Sequence, residues 1–465
     1  MRDEAVVRQR SGRRLGFTRL SLIILALLMV VRVTAAVFVA PQVVADAQGY
    51  DASALRLIAN GSFAYPLYSS GDWGRVGGDL VVTDAGRASL LNAPRNAYTM
   101  PGFPAFLAVL WRVIGATAQR FLAARVAQAV LSVLTAALIY LIGIRFGPRV
   151  GHVALVLSAL YPPLTLANSY LLTEVLYTFL LTLFVWVFLV WLDGGYRAPL
   201  AIAAGAAFSA GMWVRPTAAI WIVLAWLLVL VARRGEWRAV VRGIVVMGVV
   251  AAAVIAPWWV RNYGVYHRVV PFTTSEGVNT PQALLLDSVQ QSPFPWQGAA
   301  PKPTPEDEAI GALAQRVVAG APTAAETDAA LIDYYPQANT RLMKQIRQSH
   351  LWRVIQLRTR SILNAVVTPY SISPLALRGY PFLASWIAQL ALLAFFVVGM
   401  VSLPRTLGAW LIASLPVYFL VVHMVLIPIN RYLFPVAPVA IVIAALGFSR
   451  LRAGSPRART TSAGT

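Results

Sequence analysis

Two carboxylates stand in the stretch VVADAQGYDASALRLIANG, Val43 to Gly61: Asp46 and Asp51, with Tyr50 between them. The chain has only 18 acidic residues in 465, and these two directly follow an apolar run able to cross a membrane. A carboxylate at such an interface is partly desolvated and can take a proton from an alcohol or amine within hydrogen-bond reach. The plainer alternative for Asp46 is a solvated loop acid or a helix cap. Asp51 fits a cap better, because DASALRLIANG reads as an N-cap, a helix starting near Ala52 and a glycine stop.

Glu174 is the second candidate, in NSYLLTEVLYT at the start of an apolar run. A carboxylate at membrane depth is costly unless paired or hydrated, which marks it as functional. It also suits the positive end of a helix dipole, and the two readings are compatible. Three arginines complete the set: Arg261, followed by Asn262, in APWWVRNYG; Arg431, followed by Tyr432, in IPINRYLFPVAP; and Arg215 in MWVRPT. Arginine at such helix ends calls for an anionic partner, and a phosphate is the natural one. Snorkelling to lipid headgroups is the alternative for each taken singly.

The elements that must hold these residues are membrane helices. The chain is 58% hydrophobic and 12% charged, whereas soluble domains are near a quarter charged. The expected fold is all-α and polytopic, with about ten spans near 20–40, 121–143, 151–171, 175–192, 198–214, 217–232, 241–259, 381–403, 408–428 and 432–449. A signal-peptide reading of the basic N-terminus gives way to an uncleaved anchor, because the apolar stretch runs on to about Ala40. Cysteine is absent, and the four histidines share no ligand spacing, so no metal site and no cofactor are argued for. The net charge of +21 is almost wholly arginine. In a membrane chain that balance fits cytoplasmic loops better than nucleic-acid binding.

Arginine placement also sets the topology. YTMPGFPAFLAVLWRVIGA, Tyr98 to Ala116, is apolar but short. If it crosses, the arginine clusters near 145–149, 193–197 and 232–242 move outside, against the positive-inside bias. The expectation is therefore an interfacial helix in the first outer loop, with both termini inside. Asp46, Asp51, Glu174, Arg215, Arg261 and Arg431 then all face the outer side. A membrane module over 1–260, an outer loop region over 261–378 and C-terminal helices over 379–465 follow.

The order of motifs resembles a known family. Asp46 and Tyr50 follow the first span. APRNAYTMPGFPAFLAVLWRVIG, LYPPLTLANSYLLTEVLYTFLL, PWWVRNYG and NRYLFPVAPVAI come after it in turn. This resembles the GT-C superfamily of integral-membrane glycosyltransferases, in the branch of protein O-mannosyltransferases and lipid A aminoarabinose transferases. The resemblance implies transfer of a sugar from a polyprenyl-phosphate donor to an acceptor hydroxyl, with inversion, on the outer face of a bacterial cytoplasmic membrane. The acceptor is a lipid, a polysaccharide or a protein. Nucleic acid is not a partner; membrane lipids are. The resemblance puts the base on Asp46. It makes Glu174 orient a substrate. Beside it, the charge that builds on a lipid-phosphate leaving group points to Arg261 and Arg431 for phosphate, and Tyr50, Asp51, Arg215, Asn262 and Tyr432 complete the expected substrate-binding set. One departure stands out: the family often pairs two acids at the first-loop position, and here Asp46 is followed by Ala47. The main rival is a transporter or lipid-linked-sugar flippase, which would place its charges at the midplane of broken helices. A non-catalytic membrane scaffold is the other.

Overall fold

The computed structural model describes residues 16–39, 46–66, 73–76, 79–115, 117, 119–289, 302–322, 328–369 and 380–453. The basic N-terminal residues 1–15 and the arginine-rich tail 454–465 lie outside the described residues.

The protein is a predominantly helical, multi-pass membrane protein. Seven described helices are long and apolar enough to span. In chain order the helices are α1 (Arg19–Phe38), α2 (Asp46–Asn60), α3 (Asp84–Asn92), α4 (Gly102–Ile114), α5 (Arg120–Gly143), α6 (Pro148–Ala159), α7 (Thr173–Asp193), α8 (Ala198–Val214), α9 (Ala219–Ala232) and α10 (Trp237–Tyr266). A second group follows: α11 (Asn279–Val289), α12 (Pro305–Ala319), α13 (Asp328–Ser349) and α14 (Leu351–Val367). The chain closes with α15 (Tyr380–Val401), α16 (Leu407–Val425) and α17 (Ala437–Ala453). One short antiparallel hairpin, β1 (Trp73–Val76) with β2 (Asp79–Val82), is added to the expected all-α architecture, with Trp73 opposite Val82.

The expected span at 151–171 is broken. Pro148–Ala159 and Pro163–Ser169 meet at a 62° bend. Pro162 has no N–H to give the carbonyl of Ser158, four residues back. Arg32, fully buried in α1, donates to that carbonyl from Nη2 at 3.1 Å and to the carbonyl of Ser132 from Nη1. A charge inside the first span thus satisfies backbone left over by the break, which offsets its burial. Elsewhere the bundle closes on small residues. A Cβ at Gly399 would meet the Ile443 carbonyl at 2.0 Å, and one at Gly447 the Phe395 carbonyl at 2.3 Å, so α15 and α17 approach backbone to backbone.

The Tyr98–Ala116 stretch forms α4, which has 13 residues. At 1.5 Å per residue it reaches about 20 Å, short of a hydrocarbon core of about 30 Å. Its face carrying Phe103, Leu107 and Trp111 is buried, while Val109 and Val113 are exposed. The helix after the first span begins at Asp46 rather than near Ala52. The glycine stop is where expected, with Gly61 at φ +67°.

Helices α11 to α14 bury a small core of their own, around Leu284, Ile310, Leu342, Ile346 and Leu357. They dock on the bundle at one end. Arg358 of α14 pairs with Asp287 at 3.0 Å and donates to the carbonyl of Leu426, just past α16. Asn430 donates to the carbonyl of Pro369 at 2.8 Å. These contacts set the loop region against the turn that carries Arg431.

Candidate active site

Four breaks in helical structure converge at that end of the bundle. Asp46 opens α2. Thr173 and Glu174 open α7, where the dipole favours a carboxylate. Arg215 ends α8, because the residue before a proline is disfavoured in the α conformation and Pro216 follows; its φ and ψ are −151° and 125°. Arg431 lies in the short turn Asn430–Leu433, between Pro428 and Pro435. Glu174, Arg215 and Arg431 are presented where the chain leaves or enters a helix, and Asp46 is the first residue of α2.

The four form a chain of alternating charge. Asp46 Oδ2 accepts from Arg431 Nη2 at 2.8 Å. Arg431 Nε lies 3.6 Å from Glu174 Oε1. Arg215 Nη2 donates to the same Glu174 oxygen at 2.8 Å, and its Nε donates to Thr173 Oγ1 at 2.6 Å. Tyr432 provides a floor: Arg215 stands 4.9 Å and Arg431 5.1 Å from its ring centre. Glu174 is 1% exposed, so two guanidiniums are what make its charge tolerable there. Its Oε1 carries both contacts; Oε2 is buried with no hydrogen bond among the described residues. Asp46 is the most open of the four, with a side chain 26% exposed against 18% for Arg431.

Tyr50 sits one helical turn after Asp46, on the same face. Its ring is buried edge-on against Phe103 at 5.3 Å and tilted against Tyr65 at 5.7 Å. Burial first, and the Asp46 charge second, push its phenol well above the ordinary tyrosine value. It remains a proton-bearing donor beside the cluster.

The remaining sequence candidates have other places. Asp51 is fully buried. It accepts from Trp111 Nε1 at 3.1 Å, from Arg120 Nε at 3.1 Å and Nη2 at 3.2 Å, and from Arg87 Nη1 at 3.1 Å. It is a hub tying α2 to α3, α4 and α5, not an N-cap; the helix already starts five residues earlier. Asn262 is fully buried, with Nδ2 on the Val270 carbonyl at 3.0 Å and Oδ1 accepting from Arg261 at 2.9 Å. Arg261 itself also donates to the Phe63 carbonyl at 2.9 Å and lies 4.8 Å over the Trp258 ring. The structure therefore joins Asp46, Tyr50, Glu174, Arg215, Arg431 and Tyr432 in one cluster, and gives Arg261 and Asn262 a different set of partners. Thr173 is a member that sequence reasoning did not single out, although its place beside Glu174 at a helix start was visible.

No family model matches the sequence, and no curated protein does. Among solved structures the chain is similar to the Archaeoglobus fulgidus oligosaccharyltransferase, solved with zinc and sulfate. Identity is 14% and the TM-score 0.50, over 92% of this chain and 49% of that one. The chain thus spans about half the length of that enzyme. It is also similar to ArnT from Cupriavidus metallidurans in the apo state, with 15% identity and a TM-score of 0.40, over 92% of this chain and 76% of that one. The same protein bound to undecaprenyl phosphate gives 16% and 0.41, over 94% and 78%. At such identities the likeness is one of fold.

Proposed function

We propose that the protein is a membrane glycosyltransferase that moves a sugar from a polyprenyl-phosphate donor to an acceptor hydroxyl. The observation that carries this reading is the chain Asp46–Arg431–Glu174–Arg215, drawn from four helix ends. It offers a base, a clamp for an anion and an acid for sugar hydroxyls within one cluster. The fold it shares with an oligosaccharyltransferase adds support for sugar transfer.

In this reading the acceptor hydroxyl gives its proton to Asp46 as its oxygen attacks the anomeric carbon. The bond from that carbon to the phosphate oxygen breaks on the opposite face, and the electron pair leaves with the phosphate. Inversion follows from the single displacement. The leaving group is already an anion, and its charge grows as the bond breaks. Guanidiniums fixed in a site of low dielectric stabilise that growth at little reorganisation cost. Arg215 and Arg431 supply them. In this reading Glu174 orients a substrate hydroxyl and the Tyr50 phenol donates to one. The donor is a lipid, so the site must open to the bilayer, and helix ends at one surface meet that need. By the positive-inside rule that surface is the outer one of a bacterial cytoplasmic membrane. A transporter is less favoured, because the charges gather at helix ends rather than at the midplane of discontinuous spans.

The test is transfer from radiolabelled polyprenyl-phosphate sugars in proteoliposomes, with lipid, oligosaccharide and peptide acceptors supplied in turn. Wild-type transfer that Asp46→Asn lowers by about 10²-fold or more is the expected result. Equal transfer by Asp46→Asn and wild type overturns the base; no transfer from any polyprenyl-phosphate sugar overturns the donor class.

A further inference from the structure

A second basic site lies on a different face. A cavity of about 660 Å³ opens beside the end of α10, walled by Ala253, Ala256, Val260 and Val265 and rimmed by Arg95 and Arg261. That volume falls in the range of small-molecule sites, about 300–1,000 Å³. No carboxylate is among its described lining residues. Arg95 is exposed at its mouth. The Arg261 guanidinium is fixed in the wall by the Phe63 carbonyl, Asn262 and the Trp258 ring.

Two features set the depth of the cavity. Trp258 and Trp259 send their indole N–H groups to the carbonyls of Phe272 and Pro271, at 2.8 and 2.9 Å. Indoles anchored in this way, with Val260 and Tyr263 exposed beside them, mark the membrane–water interface. The apolar wall then runs toward the hydrocarbon and the two arginines stand at headgroup level. Gly264 faces the opening: a Cβ built there meets nothing within 4 Å. A larger side chain at 264 would stand in the cavity without disturbing the packing of α10.

We infer that this cavity binds the phosphate headgroup of a membrane lipid, with the chain laid along the apolar face of α10. The two guanidiniums favour an anion, and guanidiniums bind phosphate oxygens in forked pairs. The apolar wall selects an amphiphile over a free ion. The site is distinct from the Arg215–Arg431 cluster. The segment from Phe63 to Tyr65 separates them, since Arg261 holds the Phe63 carbonyl while Tyr65 packs on Tyr50. The inference does not depend on the glycosyltransferase reading, because its readout is retention of lipid.

The experiment is native mass spectrometry of the full-length protein in a neutral detergent, titrated with phosphatidylglycerol. Diacylglycerol of the same chains and inorganic phosphate alone serve as controls. Wild type retains one phosphatidylglycerol more tightly than diacylglycerol, and equimolar inorganic phosphate does not displace it. Arg95→Gln and Gly264→Leu each weaken retention about tenfold, as loss of one charge-assisted contact or of the chain's path predicts. Gly264→Leu keeps every charge and favours the helix, and Arg95 is exposed, so neither variant depends on a repacked core. Unchanged retention in both variants overturns the site. Displacement by equimolar phosphate, or equal retention of diacylglycerol, overturns the lipid-phosphate assignment.

Discussion

Arg431 Nη2 lies 2.8 Å from Asp46 Oδ2 while Arg431 Nε lies 3.6 Å from Glu174 Oε1, so one guanidinium joins two carboxylates from separate helix starts. As the proposed base, Asp46 is oriented by the arginine, yet one of its lone pairs is engaged. In the proposed reaction a donor phosphate arriving at Arg431 competes with Asp46 for the same N–H and leaves the carboxylate open to the acceptor proton. Asp46→Asn retains an oxygen for Arg431 but cannot take a proton. Its turnover falls by about 10²- to 10⁴-fold, the usual worth of general base catalysis, with donor binding preserved. Arg431→Lys keeps a charge but has no fork to span both acids. It raises the donor KM as well as lowering kcat, by about 10²-fold or more in kcat/KM. Steady-state kinetics in proteoliposomes separate the two patterns.

Glu174 depends on Arg215 for more than substrate binding. The carboxylate is 1% exposed and Arg215 is its 2.8 Å partner. Arg215→Ala leaves a buried charge half compensated, and breaking such a pair costs about 3–5 kcal/mol. Glu174→Gln removes the charge itself and costs much less. Thermal unfolding in detergent should therefore rank Arg215→Ala well below Glu174→Gln. Arg215→Ala combined with Glu174→Gln should recover part of the loss. No recovery in the double variant would sink the pairing argument.

Asp51 is close to Asp46 in sequence and unlike it in role. Its carboxylate is fully enclosed by Trp111, Arg87 and Arg120. Asp51→Ala strands two arginines and an indole and destabilises the protein by about 3–5 kcal/mol. Asp51→Asn is milder, because the amide oxygen still accepts. Any purified, folded Asp51→Asn turns over at close to the wild-type rate, whereas Asp46→Asn does not. Transfer assays normalised to folded protein by size-exclusion chromatography make the comparison. Loss of turnover in folded Asp51→Asn would return Asp51 to the substrate-binding set.

Much of the fold was legible because a bilayer imposes a simple rule. Spans must be apolar for about 20 residues, and α1, α5, α7, α10, α15, α16 and α17 obey it. Arg32 was missed for the same reason: one charge vanishes in the mean hydropathy of an apolar run, and only the Pro162 break explains what it does. Glu174 was visible as a carboxylate opening an apolar helix. That Asp46 meets Arg431 was not visible, since 385 residues separate them and no periodicity carries such a distance. Asp51 misled as a cap because its local string suits one; the hub that claims it comes from residues 87, 111 and 120. Arg261 and Arg431 read alike as arginines at helix ends, and only packing sends one to the Phe63 carbonyl and the other to Asp46.

Helix α4 tests the topology. At 13 residues it is short for a span, and Trp111 near its end is bound to Asp51 of α2. Asp46 and Gly115 should therefore share a side of the membrane. A reporter active only outside the cytoplasm, fused after Gly115, gives a positive signal, as does one inserted in the outer loop region. A cytoplasmic signal after Gly115 would move every later connection to the other face and place the cluster inside.

Asp307 gives the loop region an acid dependence with a definite sign. It completes the capping box of α12 with Thr304. It also takes a two-pronged contact from Arg353 of α14, at 2.7 and 2.8 Å. The Arg353 fork, followed by the Thr304 bonds, holds this carboxyl well below the usual carboxylate range. An unfolded aspartate titrates near ~3.9. The stabilisation is therefore complete above about pH 4 and is lost as the pH falls through the lower folded value. Asp307→Asn removes the charge at every pH. The gap in stability between wild type and Asp307→Asn should be full at pH 7 and close progressively below pH ~4. Hydrogen exchange across 302–322, read at several pH values and corrected for intrinsic rates, measures it. A gap that stays constant from pH 7 to pH ~2 would show that the Arg353 contact does not carry the linkage.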